Sequence, residues 1–492
     1  MLSPGLVLSE GDNGSRQGSL TISRIVVSGN TRTRSAAIRR ELLFEVGDRL
    51  DTSLVLETER ALRRMLYLGR SDISVGRTLE DTTLAEVLIE VDDLYSRALS
   101  PRLSGQLNEL SYELVALDYN LLGRGQTLQV SMVHNAVTGN GASLFYQVPN
   151  LGDARHRFSA DLGVTEEGHD LGLSFTRPFY ALSSRWSYGA AASSREAITR
   201  LYSDNGLVAR YRAQVEAASL WLTRSSAGEI KVRPGFRLSM SDRQFTSTRD
   251  FAYSPSDRRR VLPRFSLIVW KPRYERGRFV NMLGRVEDLQ IGSWVGASVG
   301  VSHKALGSDR NFPFLSATLS PRFKISRSTY SFVTLSISSR YSGGGYSNLF
   351  TTSQLLTYTV LGRIHTFAAR LRLDTLSRPE DASQFLLGVD TGLRGYPPRG
   401  FDGTRRFLAN VELRPTFYQK RHYVVAGALF VDGGTTWPRT AGFGSTRIAA
   451  GFGTRLGLPS VYNTPVLRLD LARGLGTGGG EWQMSFGIGQ YF

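Results

Sequence analysis

The stretch Leu393-Arg394-Gly395-Tyr396-Pro397-Pro398-Arg399-Gly400 puts one permanent cation on a stiff Gly- and Pro-rich segment, which reads as a loop because proline cannot donate to a strand ladder. Two carboxylates follow on alternating segments, Glu412 and Asp432. Over residues 407–414 the odd positions Phe407, Ala409, Val411 and Leu413 are apolar, so Asn410, Glu412 and Arg414 share the other face. Asp432 likewise opposes the phase of Leu429 and Val431. A guanidinium offers its donors in a fixed fork and can bridge two carboxylates, a geometry lysine cannot copy. That chemistry is a clasp rather than a reaction. Taken alone, the residues favour a plainer arrangement in which Glu412 and Asp432 pair with neighbouring arginines such as Arg414.

Composition narrows the chemistry further. The chain of 492 residues has no Cys, which removes disulfides, thiolate metal sites and thiol nucleophiles. Its six histidines (His134, His156, His169, His303, His365 and His422) show no metal-ligand spacing. There is no P-loop. We therefore expect no catalytic residue, no cofactor and no metal. The net charge is +17, unevenly spread: residues 1–96 hold 12 Arg against 15 acidic residues, whereas the remainder holds 48 basic against 28 acidic ones. The cations lie along alternating segments instead of in a stripe with stacking aromatics, so nucleic acid is not an expected partner. A watered, charged interior and anionic lipid headgroups suit them better.

The elements that carry these residues have period 2. From residue 97 onward, apolar and polar positions alternate repeatedly: Phe158, Ala160, Leu162 and Val164; Phe236, Leu238 and Met240; Val333, Leu335 and Ile337; Leu467, Leu469 and Leu471. No run of about 18 apolar residues offers a membrane helix. Nearly 400 residues of alternation without a helix would need several soluble sandwiches, but one transmembrane barrel uses all of it, with lipid on one face and water on the other. Trp482, Met484, Phe486 and Ile488 share a face of the last such segment, which reaches Phe492. Gly-rich stretches at 342–345 and 474–480 read as hairpin loops, and Gly487 and Gly489 weaken the register of that last strand.

The first hundred residues differ. Residues 1–18 form a polar linker without the apolar run and basic start of a secretory signal. A strand over 20–30, a short helix over 34–43, a second helix over 52–68 stopped by Gly69, and strands over 72–77 and 85–92 make a compact two-layer unit.

Several motifs narrow this outline. Ile22-x-x-Ile25-x-Val27-x-Gly29-Asn30, Arg39-Arg40-Glu41-Leu42 and Leu66-Tyr67-Leu68-Gly69 resemble a POTRA (polypeptide-transport-associated) domain, with Gly69-Arg70-Ser71 replacing the usual Gly-Tyr-Phe. Asp118 to Gly125 resembles a first tight barrel turn. Leu393-Arg394-Gly395-Tyr396 is similar to a loop-six motif, with Asn410-Val411-Glu412, Phe430-Val431-Asp432-Gly433-Gly434 and Arg468-Leu469-Asp470 as the motif strands after it. Phe486, Ile488, Gly489 and Phe492 resemble a barrel closing-strand signal, departing from the porin version at Gln490. In this order the set resembles the BamA/TamA-like outer-membrane superfamily, the bacterial surface antigen family, with a single POTRA domain.

The resemblance implies a mainly β protein: linker 1–18, α+β POTRA domain 19–95 in the periplasm, and a transmembrane antiparallel barrel over 96–492 with sixteen strands. It favours the clasp, with Leu393, Arg394, Gly395 and Tyr396 pinned to the lumen wall through Glu412 and Asp432. It implies insertion, assembly or translocation of unfolded client polypeptides without catalysis, through a seam between first and last strands. Lipid and lipopolysaccharide are implied as surroundings, and periplasmic chaperones or accessory lipoproteins as partners. A two-partner secretion transporter and a passive channel or surface protein are the alternative functions.

Overall fold

The computed structural model describes residues 20–65, 67–78, 81, 83–106, 109–152, 155–203, 206–342, 345–379, 383–420, 422–459, 466–476 and 479–492. The linker expected over 1–18, Leu66 of the POTRA-like motif and residues 343–344 and 477–478 of the Gly-rich loops lie outside them.

The first unit is built as β1 (Thr21–Ser28), α1 (Ser35–Arg39), α2 (Thr52–Arg63), β2 (Leu68–Arg77) and β3 (Leu84–Asp93). Its sheet has the order β1-β3-β2, with β1 parallel and β2 antiparallel to β3. Period-2 burial along β3 puts Ala85, Val87, Ile89 and Val91 in the core against Ile38, Val55 and Leu62 from the helices. The Asp51 carboxylate caps α2 by accepting from the Ser53 N–H at 2.8 Å. α2 ends at Arg63, earlier than the expected residue 68. Leu68 is drawn into the sheet core instead, and Gly69 lies within β2, where a Cβ would come within 2.8 Å of the Leu94 side chain.

β4 (Arg97–Gln106) opens a closed antiparallel barrel that continues through β5 (Glu109–Leu121) and ends with the strand Trp482–Ile488 beside β4. The barrel has 20 strands, which corrects the expected sixteen. Proline divides two of them: Pro321 separates Phe312–Ser320 from Arg322–Lys324, and Pro415 separates Arg405–Arg414 from Thr416–Gln419. The extra strands fit because the early hairpins are tight. Strands Glu109–Leu121, Gln126–Asn135, Gly139–Leu151, His156–Thr165 and Gly168–Arg177 follow one another across very short turns, so little chain is spent between crossings.

The two faces separate as the alternation requires. Leu429 and Val431 are exposed outward, while Asp432, in the opposite phase, is fully buried. Lumen hydroxyls pair across strands, as in Ser131–Ser143 at 2.7 Å and Ser298–Ser316 at 2.7 Å. The turn after β5 anchors the first unit. Its Gly123 carbonyl accepts from the Arg34 N–H at 2.9 Å, and Asn120 Nδ2 donates to Thr33 Oγ1 at 2.8 Å. Gly123 has φ +73°, and a Cβ there would lie 2.6 Å from the Arg32 carbonyl oxygen, so both backbone shape and close approach require glycine.

Candidate functional site

The long connection between strands His365–Ser377 and Arg405–Arg414 enters the barrel from the end remote from the first unit. Its segments Phe385–Leu387 and Phe401–Gly403 pair as a small hairpin, and the residues between them press on the lumen wall. Leu393 and Tyr396 are completely buried with Leu387, Leu408 and Ala449. The Tyr396 hydroxyl donates to the carbonyls of Ile448 at 3.3 Å and Leu475 at 3.4 Å. Gly395 lies so flat on the wall that a Cβ would sit 2.6 Å from both the Ala449 Cβ and the Gly474 nitrogen. Glycine is needed at this position for closeness.

Arg394 is wholly buried at the centre of this contact. Its Nε and Nη2 donate to the two Asp432 oxygens at 2.8 and 2.9 Å, and its backbone N–H adds a bond to the same carboxylate at 3.2 Å. Nη1 donates to Glu412 Oε2 at 2.6 Å. The planar fork thus spans carboxylates on two adjacent strands, Arg405–Arg414 and Val424–Trp437. Its faces are covered as well: the guanidinium carbon lies 3.3 Å from the Phe430 ring centroid on one side and 4.1 Å from that of Tyr491.

The pairing of Glu412 with a neighbouring arginine is present alongside the clasp. Glu412 Oε1 accepts from Arg414 Nε at 2.9 Å and Arg455 Nη2 at 3.1 Å. Asp470 is a third carboxylate of the cluster, taking Arg455 Nη1 at 2.6 Å and lying 3.4 Å from Arg394 Nη1. Asn410 Nδ2 donates both to Asp432 at 2.7 Å and to the Gly392 carbonyl at 2.8 Å. Every carboxylate oxygen therefore faces a guanidinium or an amide, which makes the cluster a fastener between loop and wall. Sequence reasoning singled out Glu412 and Asp432 but gave no role to Asp470, Arg455, Phe430 or Tyr491. Asp470 opposes the apolar phase of Leu469 and Leu471, so its inward direction was legible; Tyr491 carried no such signal.

Phe486 and Ile488 lie on the last strand, as the closing-strand motif expects, but Phe492 is elsewhere. The strand ends at Ile488, and Gly489, at φ +87°, turns the chain inward. Tyr491 then donates to the Val389 carbonyl at 2.7 Å, and the Phe492 ring lies among Arg370, Arg414 and lumen apolar residues. The rings leave the wall because the cationic lumen offers them guanidinium faces. At the seam, among the described residues, the last strand meets β4 through one residue pair, Phe486–Gly105. On its other side it pairs continuously from Leu467–Ile488 to Arg473–Trp482.

An Omp85 superfamily domain matches residues 120–492, and a POTRA domain described as a surface antigen variable number repeat matches residues 20–98. Among curated proteins nothing matches. The fold is similar to that of BamA from Haemophilus ducreyi lacking POTRA domains 1–3, at 13% identity over 97% of this chain and 86% of that one, with a TM-score of 0.47. It is also similar to CdiB from Acinetobacter baumannii (14% identity, 96% and 74% of the two chains, TM-score 0.48) and to CdiB from Escherichia coli (12%, 99% and 94%, 0.40).

Proposed function

This chain belongs to the Omp85 superfamily of outer-membrane insertion or translocation barrels, and we propose that its POTRA domain receives client polypeptides in the periplasm and hands them to the barrel seam. The observation that carries this reading is the seam itself. A barrel meant only as a passive pore gains nothing from a weak joint, since an open edge exposes unpaired backbone groups to lipid. Here, among the described residues, the joint between the first and last strands pairs at Phe486–Gly105 alone.

A strand added there by a client would complete the hydrogen bonding that the joint lacks. The POTRA sheet offers the same chemistry upstream. β2 is an edge strand of the order β1-β3-β2, whereas the start of β1 is already covered by the bonds Ile22–Asp48 and Leu50–Leu20. A client segment is taken on β2 by β-augmentation and no bond in it is made or broken, so the transfer is not catalysis. Periplasmic chaperones or accessory lipoproteins would deliver clients to the POTRA domain, and lipid and lipopolysaccharide surround the exposed face of the barrel.

The test is to lock the seam. The chain has no cysteine, so Leu103→Cys with Ile488→Cys, placed beyond the Phe486–Gly105 pair in antiparallel register, gives one defined crosslink. Oxidation should block client delivery and reduction should restore it; delivery unaffected by the closed seam would overturn the proposal. Depletion followed by comparison of outer-membrane and secreted proteins then separates an assembler, which loses many barrels, from a dedicated exporter, which loses one secreted protein.

A further inference from the structure

The connection between strands Arg258–Trp270 and Trp294–Ser302 is at the POTRA end of the barrel, where most turns are tight, yet it runs over residues 271–293. It forms a separate hairpin, Tyr274–Arg278 paired with Val286–Gln290, which joins no barrel strand. The hairpin crosses the mouth to strands far from those it connects. Phe279 and Leu283 at its tip pack on Val424, Ala426 and Val466, and Val280, Leu289 and Ile291 pack on Tyr330, Tyr358 and Ala368. Thr366 Oγ1 donates to the Phe279 carbonyl. The tip is held in shape by Glu287, whose Oε1 accepts the N–H groups of Val280 at 3.1 Å and Asn281 at 2.9 Å.

On its outer side the hairpin is gripped by the POTRA helix α2. Arg63 donates to both Asp288 oxygens at 3.3 Å, and Arg276 Nη2 reaches both Glu59 oxygens at 3.1 and 3.2 Å. Arg276 and Asp288 face each other across the hairpin, and Glu59 and Arg63 are one helical turn apart at 2.9 Å, so the four charges close a ring. Arg60 adds a contact over the Tyr274 ring. On its inner side the same apolar cluster receives Phe492, the neighbour of the Tyr491 that covers Arg394.

We propose that residues 271–293 are a plug for the POTRA-side mouth of the barrel, held shut by α2. Tilting α2, as a client pulling on the POTRA sheet would do, breaks the ring of charges and lets the apolar tip leave the wall. Withdrawal removes the packing under Phe492, which frees residues 489–492 beside the seam. The plug thereby couples the receiving domain to the exit. This rests on the function proposed above for its trigger, but closure of the mouth is a property of the barrel alone and is testable without a client.

The experiment is ion conductance of the full chain in planar bilayers. Glu59→Ala with Asp288→Ala should raise the frequency of open-channel events about tenfold, through the loss of the three ion pairs Arg63–Asp288, Arg276–Glu59 and Glu59–Arg63. Adding Leu283→Cys and Gly457→Cys ties the tip to the wall: a Cβ at residue 457 would lie 2.6 Å from that of Leu283, so a disulfide needs the tip to ease out by about an ångström. Oxidation should abolish the added openings and reduction should return them, the reduced protein serving as the control for folding. Openings unchanged by the alanine pair, or persisting in the oxidised protein, would show that the hairpin is not the barrier. A failed plug with a seam crosslink that still blocks clients would leave the function standing; a plug that works in a barrel whose locked seam delivers clients normally would remove the function and keep the plug.

Discussion

The guanidinium of Arg394 lies 4.1 Å from the ring of Tyr491, so a loop entering from one end of the barrel touches the segment that follows its last strand. Tyr491 also stands 4.6 Å above Arg468 and donates to the Val389 carbonyl at 2.7 Å. Loop, wall and closing segment are therefore one packed unit in the lumen, and perturbing any of them should be felt by the others.

Replacing Arg394 by Ala leaves Asp432 and Glu412 buried without their shared cation. Breaking a buried pair from one side costs about 3–5 kcal/mol. The expected result is a lower Tm and rapid trypsin cleavage within residues 378–404, and Arg394→Lys should recover little because an ammonium cannot hold both carboxylates. A loop equally protected in the alanine variant would show that Leu393 and Tyr396 hold it unaided.

The two aspartates should differ. Asp432→Asn takes the charge from the partner of Nε and Nη2 at 2.8 and 2.9 Å, whereas Asp470→Asn weakens a 3.4 Å contact to Arg394 and a 2.6 Å bond to Arg455 within the wall, and leaves the fork on the loop in place. We expect Asp432→Asn to destabilise the loop by about 1–2 kcal/mol more, read from denaturant midpoints of the two variants.

Gly489→Ala tests the inward turn. A Cβ there meets no neighbour, so its penalty is purely the φ of +87°, about 1–2 kcal/mol. Residues 490–492 should be released from the lumen, and thiol labelling of a Tyr491→Cys reporter should quicken in the alanine background. Equal labelling rates would mean that the contacts of Phe492 fix the segment whatever Gly489 does.

The domain junction should respond to pH. Glu41 accepts from Asn150 at the contact between POTRA domain and barrel. Burial pushes its carboxyl up from the ordinary 4.5, with Arg155, Asn150, Arg64 and Arg40 pulling the other way. Raised in the folded state, this group supports docking fully below about pH 4.5 and loses that contribution as pH climbs through the folded value. Glu41→Gln should mimic the protonated form and remove this part of the pH dependence of domain docking, measured by protease release of the POTRA domain between acid and neutral pH. A variant with the parental pH profile would place the dependence elsewhere.

Periodicity is a local property, and what depends on it was legible in the chain. The alternation of Leu429, Val431 and Asp432 determined which side chains meet lipid and which meet the lumen, and the even phase of Asn410, Glu412 and Arg414 placed them together on the wall. Tertiary structure decided everything that depends on how far the wall curves before it closes. The strand count of 20 follows from turn lengths summed around the ring, and no single segment records that sum. The same holds for the third carboxylate at Asp470, the burial of Tyr491 on Arg394 and the hairpin 271–293 across the mouth. Each joins residues distant in sequence whose side chains fit only once the barrel has brought opposite walls within reach.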